Sequence, residues 1–402
     1  MNTLKLIMCA SAATLGLAWA GAAAAQAAAP APAPAAAGAA APAASPAPYP
    51  SMSATLAANP NPAVFDAGPL LGKLTVTGVV SGLGLWQTSP STDFFGHLNA
   101  AGYGDLSNAT VMVQKTDGPI QFFLQAGAYS LPALGTPYVP ANKVDTATFS
   151  YFQQGFIKIV PTANFNIMVG ALPTLIGDEY TFTFENMNIQ RGLLWNQENA
   201  VTKGVQANFT QGPLTVSASW NDGFDTDRYT SASGLISYAF DSSDTLAFVA
   251  MGSFSKLNIN TFVAPVTLAN SQIYNLIYTR TQGPWVISPY IQYTVAPKVP
   301  GLTPSGSTIG AAVLAKYSFT PEFNLAGRVE YISSSGAANL LYGPGSNAWS
   351  ITVTPTYQKG IFFVRGEASY VSVGSGTPGF IFGATGLATN QTRVLGEIGF
   401  IF

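Results

Sequence analysis

Between 173 and 199 the sequence PTLIGDEYTFTFENMNIQRGLLWNQEN gathers four acids, Asp178, Glu179, Glu185 and Glu198, around one arginine, Arg191. The chemistry that such a set offers is electrostatic: fixed negative charge facing basic residues across a narrow passage selects ions by sign. The basic residues are at hand. Lys158, Lys316, Arg328, Arg365 and Arg393 stand beside Glu330, Glu367 and Glu397 in alternating segments, a mixed but net positive ladder. Two readings of the acids stay open here, an inward constriction and a solvated loop with incidental charge. The ladder likewise reads as cross-strand ion pairs or as a selectivity wall. On the constriction reading, neutralising Asp178, Glu179 and Glu185 reduces cation preference.

Other chemistry is thinner. His97, in FFGHLN, is the only histidine, and as a loop residue it reads as a solvated side chain rather than a catalytic base, which would want a Ser or Asp partner beside it. Asp222, Asp225 and Asp227 in WNDGFDTDRY do not follow the spacing of an EF-hand, so turn chemistry accounts for them better than Ca²⁺. GPGSN and GSGTPG lack the Lys-Ser/Thr of a phosphate loop. The single cysteine, Cys9, lies in a leader-like segment, and Met8 before it is not the small residue that a lipoprotein needs. The expectation is a non-enzymatic protein with no cofactor and no metal.

The elements that must position these charges follow from composition. The chain has 402 residues and formal net charge −2, which gives no basic footprint for nucleic acid. Charged residues make up 8% and aromatics 12%, against the roughly 25% charged residues of a soluble domain. Beyond the first 30 residues no apolar run reaches the roughly 18 residues of a spanning helix. A membrane protein made of strands satisfies both facts.

Lys5, the apolar stretch 6–19 and the small residues AWAGAAAAQA lay out a signal peptide over 1–25. Residues 26–72 read as an Ala/Pro-rich periplasmic linker, its prolines forbidding a continuous helix, with 51–72 a possible plug. From Lys73 to Phe402 the pattern is an all-β transmembrane antiparallel barrel. TDGPI, TQGPL and TQGPW at 116–120, 210–214 and 281–285 repeat one turn, with Gly at the bend and Pro opening the next strand. Such short connections alternate with long ones throughout, the pattern of short periplasmic turns and long extracellular loops, and give about 16 strands with both termini periplasmic.

Parity assigns the faces. In WSITVTPTYQ, Trp349, Ile351, Val353, Pro355 and Tyr357 share one side, and Ser350, Thr352, Thr354, Thr356 and Gln358 the other. An aromatic brackets each end of the apolar stripe, as in the girdles of outer-membrane barrels. Lys158, Lys316, Arg328, Glu330, Arg365, Glu367, Arg393 and Glu397 fall on the polar side and face the lumen; Lys115, Lys203, Lys256 and Arg280 have lipid-side parity but sit at strand ends, where they can snorkel. Pro289 and Pro355 predict local bulges. RVLGEIGFIF ends at Phe402 as a closing strand paired to KLTVTGVVSGLGLW, and a terminal Phe resembles the signal read by the bacterial barrel-assembly machinery.

The stretch from Gly170 to Val205 resembles the OmpL-like Putative beta-barrel porin family. Its strand ending in Gly170, its Thr174, Gly177 and Glu179, its Asn188 and Arg191, and its Gly204-Val205 re-entry carry the likeness. The family usually has Ser before the Arg, where this chain has Gln190. The resemblance implies a porin of the Gram-negative outer membrane without naming a solute. Passive diffusion of small hydrophilic solutes or ions is the expected activity; a substrate-specific channel, including one for hydrophobic compounds, and a non-conducting adhesin or structural barrel are the alternatives. Expected partners are outer-membrane lipid and lipopolysaccharide, the assembly machinery and a second and third copy in a homotrimer.

Overall fold

The computed structural model describes residues 55–402, so the expected leader and most of the Ala/Pro tract lie outside the described residues. A short strand, Ala63–Asp66 (β1), precedes sixteen barrel strands. They run Lys73–Gln87 (β2), Gly102–Lys115 (β3), Ile120–Tyr129 (β4), Gln154–Thr162 (β5), Phe165–Pro173 (β6), Val201–Gln211 (β7), Leu214–Asn221 (β8), Ser231–Ala239 (β9) and Asp244–Ser253 (β10). Gln272–Gln282 (β11), Trp285–Ala296 (β12), Gly306–Ser318 (β13), Phe323–Gly336 (β14), Asn347–Lys359 (β15), Phe362–Gly374 (β16) and Asn390–Ile401 (β17) complete the set. Each pairs antiparallel with the next, and β17 pairs with β2 from Ile401↔Val79 to Arg393↔Gln87, so the ring closes without an edge.

Alternation decides which side faces out. Trp349, Ile351, Val353 and Tyr357 on β15 are exposed while Ser350, Thr352, Thr354 and Thr356 between them are buried, and Trp285, Ile291 and Tyr293 on β12 are exposed likewise. The inverted arrangement, apolar outside and polar inside, suits a solvent of hydrocarbon. The end-of-strand cations find acids as well as interface: Lys115 pairs with Asp117 at 2.5 Å, Lys203 with Asp225 and Asp227 at 2.9 and 2.8 Å, and Arg280 with Asp244 at 2.9 Å. Lys256 lies in the loop after β10.

Two expectations need correction. Pro289 and Pro355 make no bulge: the β12–β13 register runs unbroken through Pro289↔Val313 and β14–β15 through Leu325↔Pro355. A proline removes one N–H, which points to one neighbour only, so pairing lapses on the β11 and β16 sides without a shift of register. The register shifts instead at Ser81/Gly82 and between Ile159 and Thr162. Nor is the whole interior hydrophilic. Leu235, Val249, Met251, Ile273, Ile277, Leu314 and Ile332 face inward from β9 to β14 and form one apolar cluster with residues of the β6–β7 loop.

The chain ends meet. Gly78 N–H donates to the Phe402 carbonyl at 2.8 Å and Phe402 N–H to the Gly78 carbonyl at 2.9 Å; beyond that point β1 continues along β2, from Ala63↔Val76 to Asp66↔Lys73.

Val353→Arg, at mid-strand on the outward side, is expected to destabilise the refolded barrel in bilayers by about 2–4 kcal/mol, read from urea unfolding. Arginine at Tyr357, near the strand end, should cost about 0–1 kcal/mol in the same measurement.

Candidate functional site

Six inward-facing charges cluster on three strands, Arg328 and Glu330 on β14, Arg365 and Glu367 on β16, Arg393 and Glu397 on β17, and all six are buried. A spacing of two or four keeps each Arg and Glu on one side of its strand. What buries them is the loop between β6 and β7, which turns into the barrel: nearly every residue from Thr174 to Ala200 is shielded from solvent.

The wall carboxylates accept the loop's backbone amides in sequence. Glu367 takes the N–H of Ile189 at 2.5 Å and of Gln190 at 3.2 Å, and Glu330 takes those of Leu193 at 3.0 Å and Leu194 at 3.3 Å. Between them the N–H of Gly192 donates to the loop's own Glu179 at 2.8 Å. The wall arginines bind the loop's carbonyls. Arg328 donates to the Gln190 carbonyl at 2.8 Å and pairs with Glu179 at 2.5 Å and Glu330 at 3.2 Å. Arg365 donates to the carbonyls of Asn186 and Thr183 at 3.1 and 2.9 Å while paired with Glu397, which also accepts from the hydroxyls of Ser107, Ser81 and Thr183. Arg393 has no carboxylate within 4.0 Å among the described residues; it donates to the carbonyls of Ala133 and Thr136 in the β4–β5 loop and to Gln87. The loop peptide groups of Ile189, Gln190, Gly192, Leu193 and Leu194 that leave water here thus meet charge-assisted partners.

The family-like residues acquire reasons. Thr174 donates to Asn199 at 2.9 Å and accepts from Ile176 N–H. Gly177 has φ +84°, and a Cβ there would lie 1.7 Å from the Glu198 carboxylate; a Cβ at Gly192 would meet the Glu330 carboxylate at 2.1 Å. Asn188 donates to Thr354 at 2.7 Å on β15. Arg191 is fully buried, its guanidinium 4.9 Å from the Trp195 ring, and its backbone joins Pro132 and Leu134 of the β4–β5 loop. The Gln190 side-chain amide donates to Glu367 at 2.9 Å and accepts from Arg393 at 3.1 Å, joining two strands' charges.

The four loop acids are not a row of free carboxylates. Glu179 is held by Arg328 and Gly192; Glu185 accepts the Phe182 N–H at 3.0 Å in a short 3₁₀ turn, and burial pushes its carboxyl up to about 8. Glu198 lies against Gly177 and Tyr290, and Asp178 faces the Ser288 hydroxyl. Lys158 on β5 and Lys316 on β13 stand apart from this network. They are half-buried inside the half of the barrel near the short turns, and among the described residues neither has a carboxylate within 4.0 Å. With β5 and β13 eight strands apart in a ring of sixteen, they face each other across the lumen.

His97 is exposed in the β2–β3 loop beside Asp93 at 3.4 Å and Lys143 at 3.1 Å. Asp225 and Asp227 share Lys203, and Asp222 accepts the Lys203 N–H at 2.8 Å, so the turn already has its cation; no group of metal-ligating side chains occurs among the described residues. Missed from the sequence were Thr183, Asn186, Gln87 and Ser107, whose type gives no hint, and the β4–β5 loop with its helix Ala141–Ala147. The signal that was there is the recurrence of Arg and Glu two or four apart on neighbouring segments, RVE, RGE and RVLGE.

Residues 73–402 match the family described as Putative beta-barrel porin-2, OmpL-like. Among solved structures, the chain is similar to an anion-selective porin from Comamonas acidovorans, with 10% identity, TM-score 0.57 and coverage of 82% of this chain and 99% of that one. It is also similar to OmpT, an outer-membrane protein of Vibrio cholerae, with 10% identity, TM-score 0.55 and coverage of 84% and 100%. No curated protein matches.

Removing Arg328 as Arg328→Ala leaves Glu179 and Glu330 buried together without their cation. The expected loss is about 3–5 kcal/mol of unfolding free energy, with the loop opened to added protease. Arg393→Ala, which breaks only bonds to neutral groups, is expected to cost less in the same assay.

Proposed function

The chain belongs to the Putative beta-barrel porin-2, OmpL-like, family and is an outer-membrane porin, and we propose that it passes small hydrophilic solutes through a narrowed lumen with a preference for anions. The observation that carries this reading is the pair Lys158 and Lys316, facing each other across a polar stretch of lumen with no carboxylate of the described residues within 4.0 Å of either. Arg328 pairs with Glu179 and Glu330 and Arg365 with Glu397, so these charges offset one another locally, while Asp178 and Glu198 lie beside Ser288 and Tyr290. Half-buried Asn166 and Asn208 line the same stretch and give a permeating solute hydrogen-bond partners. The short turns and both chain termini face the periplasm in this reading, the long loops face outward, and the exposed apolar band contacts lipid and lipopolysaccharide. The β17 terminus at Phe402 is then positioned for the assembly machinery.

A second reading, a channel for apolar compounds, is favoured by one observation. A cavity of about 310 Å³ lies among the long loops, lined by Phe94, Phe149, Trp195, Phe224, Phe262 and Leu268 among others. Its volume suits a small aromatic molecule.

In planar bilayers under a KCl gradient, the reversal potential of the purified protein is expected to show anion preference. Lys158→Glu with Lys316→Glu should turn it to cation preference, whereas Asp178→Asn should change it little. A reversal potential indifferent to both lysines removes the electrostatic basis of the reading. Saturable block by small aromatics, relieved by Phe262→Asp, would favour the second.

A further inference from the structure

Upstream of β1 the chain does not simply hang from the barrel. Residues 55–62, TLAANPNP, begin inside the lumen near the short turns. The Thr55 hydroxyl donates to the Asn186 carbonyl of the inward loop at 2.9 Å, and the Asn324 amide on β14 donates to the Thr55 carbonyl at 3.1 Å. Gln358 on β15 brackets the next peptide from both sides: its Oε1 accepts the Ala57 N–H at 2.7 Å and its Nε2 donates to the Ala57 carbonyl at 2.9 Å. Leu56, 3% exposed, enters an apolar cluster with Phe182 and Phe184 of the inward loop and with Met112, Phe156 and Ile401 of the wall. The chain then travels to β2, where β1 docks at Ala63↔Val76. Because β16 and β17 lie between β15 and β2, the segment crosses the mouth as a chord.

Resting on the channel reading above, we propose that residues 55–62 are a strap that narrows the periplasmic mouth, braces the inward loop from beneath and lets go to admit solute. Its hold differs in kind from that of the wall on the loop. The loop is fixed by buried guanidinium and carboxylate groups, the strap by neutral hydrogen bonds and one leucine, and neutral bonds are the weaker. Asn59, Pro60, Asn61 and Pro62 carry no charge, most of the strap beyond Leu56 is exposed, and Ala57 and Gln358 are within reach of water, which can replace their bonds. Salt screening therefore has little to act on. Asn186 is the point of communication: it receives Thr55 on one side and Arg365 on the other, so the strap touches the loop at a residue that the wall also holds.

The test uses the full mature chain, a deletion of residues 26–62, and Leu56→Asp, which places a carboxylate in the apolar cluster without shortening the chain. Single-channel conductance in KCl is expected to rise about twofold or more in both, since a wider, shorter constriction conducts more. Because Cys9 is the only cysteine of the sequence, a Thr55→Cys/Asn324→Cys pair can be bridged by a short bis-maleimide, and the bridged protein is expected to lose open-state fluctuations that the unbridged pair shows. Equal conductance of wild type, deletion and Leu56→Asp, with the bridge also silent, overturns the strap and leaves the channel intact. A wild type that does not conduct while the deletion does supports the strap; no conductance in any folded variant overturns both readings.

Discussion

Charge removed from water has to be met by charge or by well-placed dipoles, and in this barrel that requirement organises the interior. Four arginines are fully buried, Arg191, Arg328, Arg365 and Arg393, a costly set for any protein. Three of them are used as connectors between wall and loop, and two wall carboxylates, Glu330 and Glu367, do the converse work on amides. The loop thereby acts as the core of a barrel that would otherwise lack one. Its polar edge is held by β14, β16 and β17, and its leucines pack on β9 to β14. The opposite sides of one loop are served by opposite sides of one ring, which fixes its orientation as well as its depth.

This division explains which parts of the sequence were readable. A strand that touches hydrocarbon on one side and a wet or polar interior on the other must alternate, so Trp349 to Tyr357 and Ser350 to Thr356 declared their faces. The glycine-proline turns declared the hairpins, and Phe402 the closing partner. Alternation cannot report what stands inside, however. Leu314 and Ile332 are inward and apolar because the loop covers them, and no property of β13 or β14 alone announces that cover. Likewise Glu179 in the sequence is one acid among four, and only the arrival of Arg328 from more than a hundred residues away distinguishes it from a solvated carboxylate. Bonds to peptide carbonyls, as from Arg393 to Ala133, leave no trace in residue types at all.

Sharing an architecture with a Comamonas porin at 10% identity makes the same point from another direction. A barrel constrains its chain chiefly by parity and hairpin length, so the outside tolerates nearly any apolar choice. The inside is where individuality is written. Gln190 illustrates it: one side-chain amide links Glu367 to Arg393, a transverse tie between strands.

The meeting of Gly78 with Phe402, extended by β1 along β2, has a consequence for biogenesis. These hydrogen bonds join segments more than three hundred residues apart in the sequence, a contact of high loop-closure entropy. Until β17 is delivered, β2 offers an unpaired row of amides and carbonyls to whatever lies nearby. The N-terminal hairpin of β1 and β2 masks only the last few of these. Completion of the ring thus waits on β17, the strand that removes this last edge.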